Sequence, residues 1–582
     1  MSKKVTLSEN ALKVAESRYF MPGEDWEKCA LRVATSISAA ENGKQDEYRD
    51  KFFEMIYNMD FLPGGRILRN AGRPRGTLFN CFHLPIGDSI EEIGQFYKDA
   101  LVLWSDGGGV GCNFTPLRPK GDTIAGKGGQ SSGLVSFIEA ADNIAKTIES
   151  GGARRAAALA SVDVSHPEIM DFIDAKTVHN KMSHFNISVA VTEDFLSAVE
   201  SDGEWELKFK QKSYGKVRAR LIWDKIINNM VKWGEPGILN WNNLTKNNSY
   251  YYDPVRGTNP CGEAVLAPYD VCDLGSLVLP NFITGSVNTN WQKLEKTIKL
   301  GVRFLDNIID VNKYTINEIS IKAHNSRRIG VGVMGLAEYL FAKEARYGSE
   351  KALIEVERLM RFIRDTIYET LVELAVEKGA FPKFDPVSYG KASFIRKLPA
   401  SLRMDIKEKG VRCVTAMAFA PTGTTSLLPE VSSGIEPLIA KAYRRQDRVG
   451  ERIYIHPKYK QLITTAGVVP DWFVDAKDLS PKDHFETQCL IQKYVDGAVS
   501  KTINMPKGTT PDQLNKLLLE YVKDLKGVTV YIDGSREVEG QVYMSMTEEE
   551  VIDWIVNNPD GILSNFSAED IECNCQKPTE EK

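Results

Sequence analysis

Asn259-Pro260-Cys261-Gly262-Glu263 sets an amide, a thiol and a carboxylate at alternate positions, spaced by a proline and a glycine. In an extended backbone alternate side chains share a face, about 6 to 7 Å between neighbours. Asn259, Cys261 and Glu263 would then form one reactive face. Pro260 has no amide hydrogen and Gly262 no side chain, which predicts an extended loop threaded through a tight space rather than a central strand. An ordinary turn with a buried cysteine fits the same five residues, so the stretch takes its meaning from its company. Cys272 follows eleven residues after Cys261, and Cys81 lies far upstream. The run Ala420-Pro421-Thr422-Gly423-Thr424-Thr425-Ser426 offers a glycine and four hydroxyls. It would bind an anion if a helix starts there, and it is a plain Ser/Thr-rich cap otherwise.

Two glycine-rich stretches carry a similar choice. Asp106-Gly107-Gly108-Gly109-Val110-Gly111 lets a backbone approach a ligand, but Cys112 stands where a dinucleotide fingerprint needs its third glycine. Gly151-Gly152-Ala153-Arg154-Arg155 suits a phosphate, or a surface loop with solvated arginines.

The elements that must position these groups read as a mixed α/β chain. Helical spacing of apolar residues runs over Leu7 to Tyr19, Glu24 to Ala40 and Asp46 to Met59, then over Ser89 to Ser105, Leu134 to Ser150, Glu193 to Glu200, Arg218 to Trp233, Trp291 to Val311 and Lys351 to Lys378. Short apolar runs, among them Thr77 to Leu84 with Cys81 and Ala416 to Ala420, read as strands between them. That alternation predicts an α/β sheet or barrel. The 582 residues are 42% hydrophobic and 26% charged, a globular composition with room for a large core. No long apolar run or secretory signal is visible, and a net charge of −5 without a basic block gives no reason to expect nucleic acid. The cytoplasm is the expected compartment. Nine cysteines thinly spread over so long a chain predict buried or reactive thiols rather than a disulfide framework. The polar end from Asn557, with Cys573 and Cys575, reads as a tail.

NPCGE (259–263), CDLGS (272–276), SDGGGVGCNFTPLRPKGD (105–122), SGGARRAAA (150–158), SRRIGVGVMGLAEYL (326–340), FAPTGTTS (419–426) and VYIDGSRE (530–537) occur in one collinear order. Together they resemble the catalytic chain of ribonucleotide reductases, specifically the adenosylcobalamin-dependent class II. The resemblance implies a ten-stranded α/β barrel with a finger loop carrying a radical cysteine to its centre. The division it suggests is an N-terminal helical region over 1–70, a barrel over 71–545 and a redox tail over 546–582, without the ATP-cone of many relatives.

By resemblance, Cys261 is the thiyl radical, Glu263 the base on the 3′-hydroxyl, and Asn259 the holder of the ribose hydroxyls. Cys81 and Cys272 form the pair that reduces substrate and becomes a disulfide. Cys573 and Cys575 then reduce that disulfide and are themselves reduced by a thioredoxin- or glutaredoxin-like partner. Substrate contacts fall on Gly65, Asn80, Cys81, Gly109, Asn259, Pro260, Cys261, Gly262, Glu263, Pro421, Thr422, Gly423, Thr424 and Thr425. Gly65 departs from the hydroxyl residue common there, leaving only backbone contact. The two-residue offset of the tail cysteines is also a departure, and it strains a direct disulfide between them. A dNTP or ATP specificity effector at a homodimer interface is implied at Asp88 and Arg118, with Arg154 and Arg155 on the connecting loop.

Class I chains relay their radical through adjacent tyrosines, where this chain has Tyr531 alone. No glycyl-radical motif and no DxHxxG histidine motif is visible. Adenosylcobalamin bound without that histidine is therefore the expected cofactor, with no protein-bound metal. A class I large subunit needing a radical-generating partner is the alternative. A zinc protein built on Cys573 and Cys575 is a remote one, since CxC lacks a second close Cys/His pair.

Overall fold

The computed structural model describes residues 5–557 apart from 125, 127, 151–153, 179–180, 286, 448–449 and 534–541. The first three expected helices fold as Glu9–Arg18, Trp26–Ser38 and Gln45–Tyr57. Ser8 and Asp25 cap the first two, each accepting a first-turn amide that would otherwise lack a partner.

Beyond them the chain builds a barrel. Its strands are β1 (Cys81–His83), β2 (Gly109–Asn113), β3 (Ala157–Asp163), β4 (Phe185–Val191), β5 (Gly237–Asn240), β6 (Val271–Val278), β7 (Ile329–Met334), β8 (Thr502–Met505) and β9 (Gly527–Ile532). Strands β1 to β5 pair in parallel, each with the next. The second half is parallel as well: β6 with β7, Val331 of β7 bridging Met417, Phe419 bridging Val499 just before β8, and β8 with β9. The two halves meet antiparallel, β5 against β9 and β6 against β1, so the ring closes. Nine strands and the extended segment 416–420 make ten positions, the barrel the resemblance implied. The run Ala416 to Ala420 makes only isolated bridges rather than a full strand.

Parallel strands need crossovers, and long helices such as Trp291–Val311 and Glu350–Lys378 supply them on the outside. With helices outside and a loop inside, β6 is buried at all eight positions, which is why its sequence does not alternate. A buried ionic cluster ties the N-terminal helices to this wall. Arg303 donates to Glu41 at 2.6 and 2.7 Å and to Glu377 at 2.7 and 2.6 Å, and Lys378 donates to Glu41 at 2.9 Å. Among the described residues no helix is long and apolar enough to cross a membrane.

Candidate active site

Gly257–Thr258 pairs antiparallel with Val265–Leu266, so residues 259–264 form the tip of a hairpin. The sequence reading expected an extended stretch; the structure has a tight turn instead. The Gly262 amide donates to the Asn259 carbonyl at 3.0 Å, and Gly262 has φ +83°. Pro260 and Gly262 occupy the second and fourth turn positions that favour those residues, so they fold the tip rather than thread it. The Asn259 side chain closes the hairpin from within, its Oδ1 accepting from the Ala264 amide at 2.9 Å.

Close backbone approach seats this hairpin in the barrel. A Cβ on Gly111 would lie 1.8 Å from the Thr258 carbonyl oxygen, and one on Gly497 would lie 3.1 Å from that of Glu263 and 2.2 Å from that of Met417 on the barrel wall. The Ala498 amide donates to the Glu263 carbonyl at 2.8 Å, fixing the far side. Neither contact was foreseen from sequence, although a small residue recurring on inward-facing strands is the available signal.

The thiols converge beside the tip. Cys81 and Cys272 are direct register partners on β1 and β6. Opposed residues of an antiparallel pair lie about 4.5 to 5.5 Å apart at Cα, inside the range a disulfide spans. All seven described cysteines are thiols. Asn259 Nδ2 donates to Cys81 Sγ at 3.1 Å, and the Cys81 thiol donates to Glu263 Oε1 at 3.5 Å. Cys272 Sγ donates to the Asp273 carbonyl at 3.3 Å. Ala264, Leu266, Leu274, Ala418 and Ala420 surround the two sulfurs with apolar surface. Gly330 leaves the space Cys272 uses, since a Cβ there would be 2.8 Å from its sulfur.

Burial sets the protonation states. It raises Glu263 above the usual carboxylate range, only partly opposed by hydrogen bonds from Asn259 and Cys81. Burial, then the nearby Glu263 charge, pushes Cys81 well above a normal thiol, and burial followed by the Asp273 charge does the same for Cys272. Both therefore keep their hydrogens at neutral pH, as hydrogen donors must. Among the described residues, Glu263 Oε2 and Asn80 Oδ1 are buried without a hydrogen-bond partner. Cys261 keeps partial exposure, whereas Asn259, Glu263, Cys81 and Cys272 are buried.

The remaining candidates fall around this centre. Gly65 opens the short helix Gly65–Asn70, next to Gly64, whose amide donates to Leu274 O at 2.7 Å. Gly109 faces Pro260. The segment carrying Ala418 and Ala420 leads directly to Pro421–Thr425, where no helix starts. Turns held by Gly434 N to Thr422 Oγ1 at 2.9 Å and Thr422 N to Ser433 Oγ at 3.1 Å take its place. Asp88 and Arg118 pair with each other at 3.1 Å, well away in sequence from these loops, and Lys210 reaches Asp88 at 3.3 Å. Arg154–Arg155 forms a short strand against Glu149–Ser150. Cys573 and Cys575 lie outside the described residues. Tyr250 and Tyr252 lie in the loop that precedes the hairpin, their ring centroids 4.7 Å apart, and the Arg328 guanidinium lies 4.8 Å from the Tyr250 ring centroid.

Comparison with known proteins gives a consistent result. A family described as ribonucleotide reductase, barrel domain, matches residues 79–531, and one described as ribonucleotide reductase, all-alpha domain, matches residues 5–76. A vitamin B12-dependent ribonucleoside-diphosphate reductase of Mycobacterium tuberculosis (strain CDC 1551 / Oshkosh) is 35% identical, across 93% of this chain and 81% of its own length. One of Thermoplasma acidophilum is 34% identical across 90% of this chain and 71% of its own. The ribonucleoside-diphosphate reductase large chain of Schizosaccharomyces pombe is 27% identical across 73% of this chain and 58% of its own.

Proposed function

The chain belongs to the ribonucleotide reductase family, and on that premise we propose that it reduces ribonucleoside diphosphates to 2′-deoxyribonucleoside diphosphates with adenosylcobalamin. The observation that carries this reading is the pairing of Cys81 with Cys272 across one barrel seam, beneath a hairpin tip that presents Cys261, Asn259 and Glu263.

The surroundings of Cys261 fit a bulky cofactor. It is the half-buried member of the set, and a Cβ on the adjacent Gly262 would meet nothing within 4 Å. The tip residues Cys261 and Gly262 would face the cofactor through that opening. When bound, adenosylcobalamin supplies a one-electron oxidant through homolysis of its cobalt–carbon bond.

The chain's own residues do the rest. Cys261 exchanges a hydrogen atom with ribose C3′. Glu263 takes the 3′-hydroxyl proton, and Asn259 orients the ribose hydroxyls by hydrogen bonding. Cys81 and Cys272 then give two hydrogens: the 2′-hydroxyl leaves as water, a C2′–H bond forms, and the sulfurs are left as a disulfide. Gly65, Asn80, Gly109 and Pro421–Thr425 complete the substrate site, the last binding the phosphates.

Cys573 and Cys575 return the disulfide to thiols by exchange and are reduced by a thioredoxin-like protein. Asp88, Arg118, Arg154 and Arg155 would serve a deoxynucleotide or ATP effector in a homodimer working in the cytoplasm. The helical region 1–70, barrel 71–545 and tail 546–582 divide these tasks.

An anaerobic assay with adenosylcobalamin, dithiothreitol and each ribonucleoside diphosphate tests the proposal. Deoxynucleotide should form, and should vanish in Cys261→Ser. Turnover that requires a second, metal-bearing subunit would assign the chain to class I instead. Turnover by Cys261→Ser would refute the thiyl mechanism.

A further inference from the structure

One helix is fixed at both ends to the loop that carries the proposed phosphate contacts. Tyr19, which ends the helix Glu9–Arg18, is 1% exposed and donates its phenolic hydrogen to Thr424 Oγ1 at 3.0 Å. At the other end Ser8 accepts from the Ala11 amide at 3.2 Å and donates to Glu430 Oε1 at 2.6 Å. The backbone around Tyr19 is itself clamped. Arg32 donates to the Tyr19 carbonyl at 3.2 Å, Arg69 to that of Arg18 at 3.4 Å and Arg73 to that of Phe20 at 3.2 Å. A stiff aromatic side chain on an anchored backbone delivers its hydroxyl to a fixed point.

On the loop, neighbouring hydroxyls are oriented from within. Thr422 is held by Gly434 and Ser433, and Thr425 Oγ1 donates to the Thr422 carbonyl at 3.3 Å. Thr424 is instead oriented from outside, by Tyr19. Accepting that bond commits a lone pair of the Thr424 oxygen and so constrains how its hydroxyl can turn.

Resting on the assignment of Pro421–Thr425 to the substrate phosphates, we infer that Tyr19 is a positioning residue for the diphosphate, acting through Thr424. The N-terminal helix thereby sets substrate affinity without touching substrate. The inference reads out as a KM effect, because the phosphates are held alike in ground and transition states.

The test compares Tyr19→Phe, Thr424→Val, the double variant and Ser8→Ala, using a nucleoside diphosphate as substrate and inorganic pyrophosphate as competing probe. Tyr19→Phe should raise KM about 5- to 10-fold and weaken pyrophosphate inhibition by the same factor, with kcat within about twofold. The double variant should be no worse than Thr424→Val alone. Ser8→Ala, which loses the helix cap and the bond to Glu430 but keeps the Tyr19–Thr424 contact, should leave KM and pyrophosphate inhibition as they were. If Thr424→Val raises KM and Tyr19→Phe does not, the role of Tyr19 is refuted while the phosphate loop stands. If Thr424→Val leaves KM unmoved, the loop assignment falls and this inference with it. A drop in Tm and kcat of Tyr19→Phe at constant KM also overturns it, because that is what a purely structural contact would give.

Discussion

The Cys81 thiol donates to the Glu263 carboxylate across 3.5 Å, with neither residue more than 2% exposed. The proposed base and one of the proposed reducing thiols therefore share a hydrogen before substrate arrives. A ribose entering between them would receive both functions from one place.

Glu263→Gln should keep nucleotide binding and lower kcat about 10²- to 10⁴-fold, the usual worth of a positioned base. The wild-type rate should fall on the acid side at a pH above the ordinary glutamate range, because burial raises this carboxyl and only its ionised form accepts a proton. Stability runs the opposite way. A raised folded-state pKa favours folding fully below the unfolded value, and that contribution is lost as pH rises through the folded one. Glu263→Gln should accordingly melt at or above the wild-type temperature at pH 7, which calorimetry can check.

One turnover without reductant should oxidise Cys81 and Cys272 and leave the other buried thiols alone. Peptide mass mapping under non-reducing conditions should join the Cys81 and Cys272 peptides with a loss of two hydrogens. Cys272→Ser should bind substrate but release no deoxynucleotide. A crosslink that instead involves Cys112 or Cys413 would displace the register argument.

Gly111→Ala should abolish activity out of proportion to any loss of fold. Its Cβ would sit 1.8 Å from a backbone oxygen of the hairpin, so the tip must move. A shift of about 1 Å at reacting atoms costs on the order of 10²-fold. Steady-state rates alongside circular dichroism separate the two effects.

Changing Cys573 and Cys575 together to Ser should remove turnover driven by thioredoxin and preserve turnover driven by dithiothreitol, which reaches the internal disulfide unaided. Equal loss with both reductants would assign the tail some other task.

Acid should loosen the attachment of the N-terminal helices first. Burial alone would raise Glu41, but hydrogen bonds from Arg303, Lys378 and Asn307 override it and hold the carboxyl at about 2. This contribution, about 3 kcal/mol, is present above the unfolded glutamate value and is lost as pH falls from there through about 2. Glu41→Gln leaves Arg303 short of a buried charge and should cost about 3 to 5 kcal/mol at pH 7 by urea unfolding.

Much of this was legible in the sequence because it rests on periodicity and residue type. The helices at Glu193–Glu200 and Trp291–Val311 match their apolar spacing to the residue. The meeting of Cys81 and Cys272 beside the turn that carries Asn259, Cys261 and Glu263 was legible through residue type and motif order. What was not legible depends on distant atoms. The turn at Asn259–Gly262 looked extended because alternation was read without the partner strand that folds it back. The clearances at Gly111, Gly330 and Gly497 belong to pairs of segments far apart in sequence, and so does the contact of Tyr19 with Thr424. The anion site in the run Ala420–Ser426 was conditional on a helix starting there, and turns held to Ser433 and Gly434 take that helix's place.

The antiparallel seam between β1 and β6 is one of the two where the barrel's parallel halves join. A sulfur bridge there is a clasp: it would fasten the halves covalently once per catalytic cycle and release them on re-reduction. The resting oxidised protein should accordingly resist proteolysis and denaturant better than the reduced one, so that mechanical robustness rises and falls with each deoxynucleotide made.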